Sequence, residues 1–92
     1  MTATYKLKQK AKDDLKEIYK YGFFRYGEKQ ADKYYQDLFE RFEIIARTPF
    51  LYPAVDHIYE GYRRSVYGAH SIYYRLENDT VEITRILKRQ SI

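Results

Sequence analysis

Ninety-two residues, with 17 Lys and Arg against 13 Asp and Glu and no Cys or Trp, set narrow limits on what this chain can be. A length at or just below the commonest domain size points to a single domain over residues 1–92, without room for an appended catalytic module. Hydrophobic residues at 45% and charged residues at 33% exclude a disordered tail, and the lack of Cys excludes disulfides, thiolate metal ligands and Cys nucleophiles. Neither the start, Met1 to Lys8, nor any later stretch offers the roughly 20 apolar residues of a membrane span, so a cytoplasmic protein is expected. The net charge of +4 allows contact with nucleic acid or with an acidic protein, but the two signs are interspersed and charge alone does not choose.

Tyr5, Leu7 and Gln9 alternate with Thr4, Lys6 and Lys8, the period of a short strand. From Lys10 the period becomes helical through Ala11, Leu15, Ile18, Tyr19, Gly22 and Tyr26, which predicts a first helix over about 10–26 with Asp13 and Asp14 early in it. Gly27 breaks it. Ala31, Tyr35, Leu38, Phe42 and Ile45 then carry a second stripe over 28–47, ended by Thr48-Pro49 because the residue before Pro is pushed out of the helical region. With one turn between them the helices form an antiparallel hairpin. Tyr19, Tyr26 and Tyr35 are expected to seal the helix layer against a sheet. Tyr21, Phe24, Tyr34 and Phe39 are expected on the outer side, as an apolar patch for a partner helix.

Pro49, Pro53 and Gly61 punctuate an aperiodic loop over 49–61. Alternation then returns in Tyr62 to Tyr67 and His70 to Leu76, joined by Gly68-Ala69, a pair suited to a type II′ turn, and Asn78-Asp79 separates Leu76 from a last strand through Val81, Ile83 and Leu87. If each turn has two residues, Arg63, Ser65, Tyr67, His70, Ile72, Tyr74, Leu76, Val81, Ile83, Arg85 and Leu87 face the helices. Tyr62, Arg64, Val66, Tyr73, Arg75, Thr84 and Ile86 then form the opposite face. The order β-α-α-β-β-β gives a two-layer α+β sandwich, a helical hairpin on a mainly antiparallel sheet. The pattern leaves the place of the first strand in the sheet open.

Catalysis needs a base, an acid or a charge stabiliser in mutual reach, and candidates are few. His70 opens a strand on the helix side and reads as a structural histidine; His57 beside Asp56 has no metal spacing, and Ser65, Ser71 and Ser91 lack a nucleophile elbow. No metal site is expected. Arg63 and Arg85, on the helix side, require partners such as Glu43, Asp37 or Glu17, so they read as structural ion pairs. Arg64 and Arg75 stand with Tyr62 and Tyr73 on the open face, where a guanidinium beside an aromatic ring suits either a partner's carboxylate or a phosphate.

The element order, with Ala11, Asp14-Leu15, Ile18, Tyr21, Gly27, Gln30-Ala31, Tyr34, Leu38, Phe42, Ala46 and Pro49 in the helical part, resembles the ParE toxins of the ParE/RelE superfamily. Gly61-Tyr62-Arg63, Gly68, His70, Ile72, Tyr74-Arg75, Val81-Glu82-Ile83 and Arg85-Ile86-Leu87 continue the likeness over about residues 5–88. The resemblance implies the toxin of a bacterial type II toxin–antitoxin system that inhibits DNA gyrase by binding, is neutralised by a ParD-like antitoxin at Tyr21, Phe24, Tyr34 and Phe39, and uses no cofactor. It also implies a basic tail for target contact, here Lys88 and Arg89 beside Arg75, Arg64, Tyr73 and Tyr62, with no sequence-specific nucleic-acid binding. The tail departs from the family, which usually follows Arg-Ile-Leu with His, any residue and Arg, where this chain has Lys88, Arg89 and Gln90. The alternative is a RelE-type, ribosome-dependent mRNA endoribonuclease, metal-independent, with Arg64 and Arg75 as its catalytic cations. RelE nucleases usually carry a tail Tyr; nothing after Leu87 here is aromatic, which favours the ParE reading.

Overall fold

The computed structural model describes residues 4–89; Gln90, Ser91 and Ile92, the end of the basic tail, lie outside the described residues. Strand β1 (Tyr5–Leu7) leads into helices α1 (Gln9–Tyr26) and α2 (Glu28–Arg47), followed by strands β2 (Arg63–Tyr67), β3 (His70–Glu77) and β4 (Thr80–Lys88). The sheet order is β1-β4-β3-β2, with β1 parallel to β4 and the other two pairings antiparallel. Two helices packed on a four-stranded mixed sheet make the α+β sandwich expected from the sequence.

Each boundary has a local cause. Gly27 joins the helices at a φ of 97°, a backbone state costly for other residues, and its N–H caps α1 on the carbonyl of Phe23. The β2–β3 turn has positive φ at Gly68 alone, as a type II′ turn requires, and the β3–β4 turn has it at both Asn78 and Asp79, as in type I′. Strand β1 is short because its partners run only from Val81 to Ile83 on β4.

The core lies between the layers. Leu15 of α1 and Leu38, Phe42 and Ile45 of α2 meet Ile72 and Tyr74 of β3 and Val81, Ile83 and Ile86 of β4, each apolar side chain contributing roughly 1.5–3 kcal/mol on burial. Tyr74 is fully buried, yet its hydroxyl donates to the carbonyl of Pro49 at 2.7 Å, and burial pushes its pKa up to about 12. The loop between α2 and β2 is tied to the sheet through an Ala54–Arg63 bridge and a bond from the Arg64 N–H to the carbonyl of Pro53.

Two expectations about faces are corrected. The β3–β4 register shifts between Tyr73 and Tyr74, so Thr84 is an extra residue in β4: Tyr73 pairs with Arg85, whereas Tyr74 pairs with Ile83. Everything beyond this bulge changes sides. Ile86 turns into the core at 2% exposure, while Arg85 and Leu87 turn to the open face that the alternation had assigned to Ile86. The second correction concerns tyrosines on the helices. Tyr26 and Tyr35 are exposed, and Tyr19 packs its ring on Tyr35 and donates to Asp32 at 2.6 Å. This hydrogen bond lifts the Tyr19 pKa to about 12. Tyr19 and Tyr35 thus pack on each other away from the core and Tyr26 lines a cleft beside the β2–β3 turn, because Leu38, Phe42 and Ile45 already fill the space next to the sheet.

Candidate functional site

The open face of the sheet gathers most of the residues read as target-binding. Arg64 is directly across from Tyr73 in the β2–β3 register, and Tyr62 lies just ahead of β2. Arg75 is on this face but is already engaged: its Nε donates to the buried Glu82 at 3.1 Å, and Nη2 is 3.6 Å from Glu77. The hydrogen bond to Glu82 raises its pKa further. Two carboxylates thus compensate the one guanidinium, leaving Arg64 the less encumbered of the pair. Tyr62 and Tyr73 line a cavity of about 480 Å³ together with Lys8, Lys10, Tyr59 and Arg85.

Arg85 reaches this face because of the bulge and is fixed there by Asp14. Arg85 Nε and Nη2 donate to the two oxygens of Asp14 at 2.8 and 3.0 Å, and the backbone N–H of Ile86 donates to Oδ2 at 2.9 Å. Beyond Leu7, β4 has no strand beside it, so the Asp14 carboxylate takes the place of a missing carbonyl along its edge. The ion pair expected for Arg85 is therefore present, but with Asp14 and with a side chain 41% exposed instead of buried. Arg63 differs from its expectation more strongly. It donates to the carbonyl of Tyr52 at 2.7 Å and lies over the ring of Phe50, 5.1 Å from its centroid, so a carbonyl and a π face stand where a carboxylate was expected.

The helix side presents a cleft between the hairpin and the β2–β3 turn, described by adjoining cavities of about 410 and 430 Å³ that share Ile18, Tyr21, Tyr26, Ala69 and His70. Tyr34 closes its inner end. The Tyr34 hydroxyl lies 2.7 Å from His70 Nδ1 and 3.2 Å from the carbonyl of Tyr67, and it accepts from the N–H of Ala69 at 3.2 Å. Burial, then the charge of Lys88, lowers the His70 pKa, against an opposing effect of Asp14. Nearby, Tyr67 donates to Asp37 at 2.8 Å, and this bond, followed by Lys33, holds the Asp37 carboxyl below its ordinary range.

The four residues assigned to the antitoxin do not form one patch. Tyr21 and Tyr34 line the cleft, Phe24 stands exposed beside Phe23, and Phe39 is half-buried between Tyr35 and Phe42. The target set is divided too. Lys88 faces the helices opposite His70 and lines the cleft with Asp14 and Glu17, away from Tyr62 and Tyr73, while Arg89 holds the Ala69 carbonyl through its own N–H. His57 is exposed, and its neighbour Asp56 accepts from the N–H of Gly61. Among the described residues no group of three His, Asp or Glu is placed to hold a metal.

Residues 5–92 match the family described as the ParE toxin of the type II toxin–antitoxin system, parDE. The chain is 37% identical to Toxin ParE1 of Caulobacter vibrioides over 83 residues, 90% of this chain and 85% of that protein. It is 31% identical to Toxin ParE1 of Mycobacterium tuberculosis over 91 residues, 98% of this chain and 93% of the relative. The chain belongs to the ParE toxin family. A solved structure described as the chromosomal ParDE TA system from P. aeruginosa has the same fold, with a TM-score of 0.83 at 22% identity over 97% of this chain and 98% of that one.

In this ParE family member, several structurally important residues escaped the sequence reading. Arg41 of α2 donates to Ser65 Oγ at 2.9 Å and to the carbonyl of Val66 at 3.1 Å, stacked over Tyr52 and Tyr67. It covers the outer edge of β2. Asp14 was visible only as an acid early in a helix, and nothing in the chain marks its partner 71 positions on. Lys8 and Lys10 stood in the sequence only as a strand position and a helix start; the packing of α1 beside β4 brings them to the tyrosines of the open face.

Proposed function

We infer that this ParE family member is the toxin of a toxin–antitoxin pair, that it acts on DNA gyrase by binding, and that a ParD-like antitoxin neutralises it. The observation that carries this is the match over residues 5–92, with relatives named Toxin ParE1 aligned over 85% and 93% of their own lengths. The geometry supports binding over turnover: Arg75 is neutralised by Glu82 and Glu77, and His70 is committed to Tyr34. A ligand shifts its target only by preferring one state of it, so the toxin must bind the cleaved-DNA state of gyrase more tightly than the resting one.

The antitoxin is assigned to the helix-side cleft, where Tyr21 and Tyr26 are each 61% exposed. An amphipathic segment laid there would bury both rings and meet charges of both signs at the mouth, Lys88 with Asp14 and Glu17. The test is a pair of parallel assays on the purified chain, inhibition of gyrase supercoiling and cleavage of mRNA on translating ribosomes. Inhibition in the first, relieved by the antitoxin encoded beside it, is expected. Cleavage in the second with gyrase unaffected would establish the endoribonuclease reading instead.

A further inference from the structure

The cavity of about 480 Å³ on the open face combines an aromatic wall with a set of cations. Three tyrosine rings line it: Tyr59 and Tyr62, 5.8 Å apart between centroids, and Tyr73. Three cations line it as well, Lys8 and Lys10 from the start of α1 and Arg85 from beyond the β4 bulge. No carboxylate lines it among the described residues, and the first turn of α1 contains no acid. Asp14 fixes Arg85 without itself lining the cavity. The volume falls in the range of small-ligand sites, roughly 300–1,000 Å³.

Cations alone would suit an acidic peptide. The rings argue for something flat, because an aromatic wall gains most from a stacked planar group, and a base joined to a phosphate offers both planarity and negative charge. We propose that this cavity binds a nucleotide of single-stranded nucleic acid without sequence preference, the base stacked among Tyr59, Tyr62 and Tyr73 and the phosphates held by Lys8 and Lys10, beside the Arg85 guanidinium that Asp14 already pairs. Arg64, across from Tyr73, continues the cationic track along the strand. The proposal goes beyond the gyrase and antitoxin reading and is tested without either protein.

Fluorescence anisotropy of the purified full-length chain with short labelled oligothymidylate and oligouridylate measures it. Binding is expected to weaken with salt, with a log–log slope of about 1.4 for two neutralised phosphates. Tyr62→Leu and Tyr73→Leu should each weaken it about tenfold or more, whereas Tyr62→Phe and Tyr73→Phe keep the ring and the affinity. A Lys8→Glu, Lys10→Glu double variant should lose binding and flatten the salt slope; Lys29→Glu, at the start of α2 and a helix length from the start of α1, should not. Circular dichroism separates lost binding from lost fold, and the Phe variants keep the test open if a Leu variant unfolds. Binding of either strand supports the proposal, and the tighter arm identifies DNA or RNA as the source. No binding to either at low salt, binding indifferent to the tyrosines and lysines, or capture only of an acidic peptide would overturn it.

Discussion

Asp14 shows how a single side chain can hold more structure than its partner does. It accepts from Arg85 twice and from the backbone N–H of Ile86, so its removal strands an amide on the edge of β4. Asp14→Ala should therefore cost about 2 kcal/mol in urea unfolding, the range of hydrogen bonds to a charged group plus an unsatisfied donor. Arg85→Ala should cost about 1 kcal/mol or less, since its side chain is 41% exposed and surface ion pairs contribute little. Equal losses would show that the edge amide finds another acceptor. His70 gives a pH-dependent signature. Its folded pKa lies below the unfolded value of 6.5, so the unfolded chain binds the proton first and stability falls as pH drops below that value, until the folded pKa is passed. Melting temperature should thus decline less between neutral and mildly acidic pH in His70→Gln than in the parent, and identical declines would mean that His70 titrates as it does in the unfolded chain.

At the scale of elements, the turns and the helix stripe determine what can be changed. A Cβ at Gly68 would lie 2.8 Å from the ring and hydroxyl of Tyr34, and φ there is +53°. Gly68→Ala should lose about 1–2 kcal/mol from the backbone alone and displace Tyr34, which loss of the Tyr34–His70 contact in NMR spectra would reveal. Phe42 is fully buried and touches both Tyr5 and Phe39, so it fastens α2 to β1; Phe42→Ala should cost about 3–5 kcal/mol. A loss below about 1 kcal/mol would mean that the layers repack. Much of this level was legible in sequence, because Gly27, Gly68-Ala69 and Asn78-Asp79 encode their turns locally and the α2 stripe sets its face. The bulge at Thr84 was not: it lies among β-branched and apolar residues with no Gly to mark it, so plain alternation placed Arg85 and Leu87 on the wrong side. The parallel seat of β1 on β4 spans most of the chain and likewise has no local signal.

Across the whole molecule, the two layers present two different surfaces. The helix side carries exposed aromatics and a cleft closed by Tyr34 and His70; the open face carries cations among tyrosines. Candidate residues such as Tyr62, Arg64 and Tyr73 were readable from alternation, since all three precede the bulge and share a face. Their neighbours Lys8, Lys10 and Tyr59 come from separate segments, and only the assembled fold unites them. The proposed function would put antitoxin and target on opposite sides of the molecule, apart from Lys88, which lines the cleft. Tyr21→Glu should accordingly weaken antitoxin capture in pull-downs while leaving toxicity to cells intact, and loss of toxicity in that variant would put both partners on one surface.

The central claim is that this ParE family member poisons gyrase, and the most direct measurement is the recovery of cleaved DNA. Supercoiled plasmid incubated with gyrase, ATP and the purified chain, then denatured and digested with protease, should yield linear DNA in proportion to the chain added. Prior addition of the antitoxin should abolish it. Plasmid that remains supercoiled or relaxed at every concentration, from a preparation that is folded and binds its antitoxin, would contradict the account.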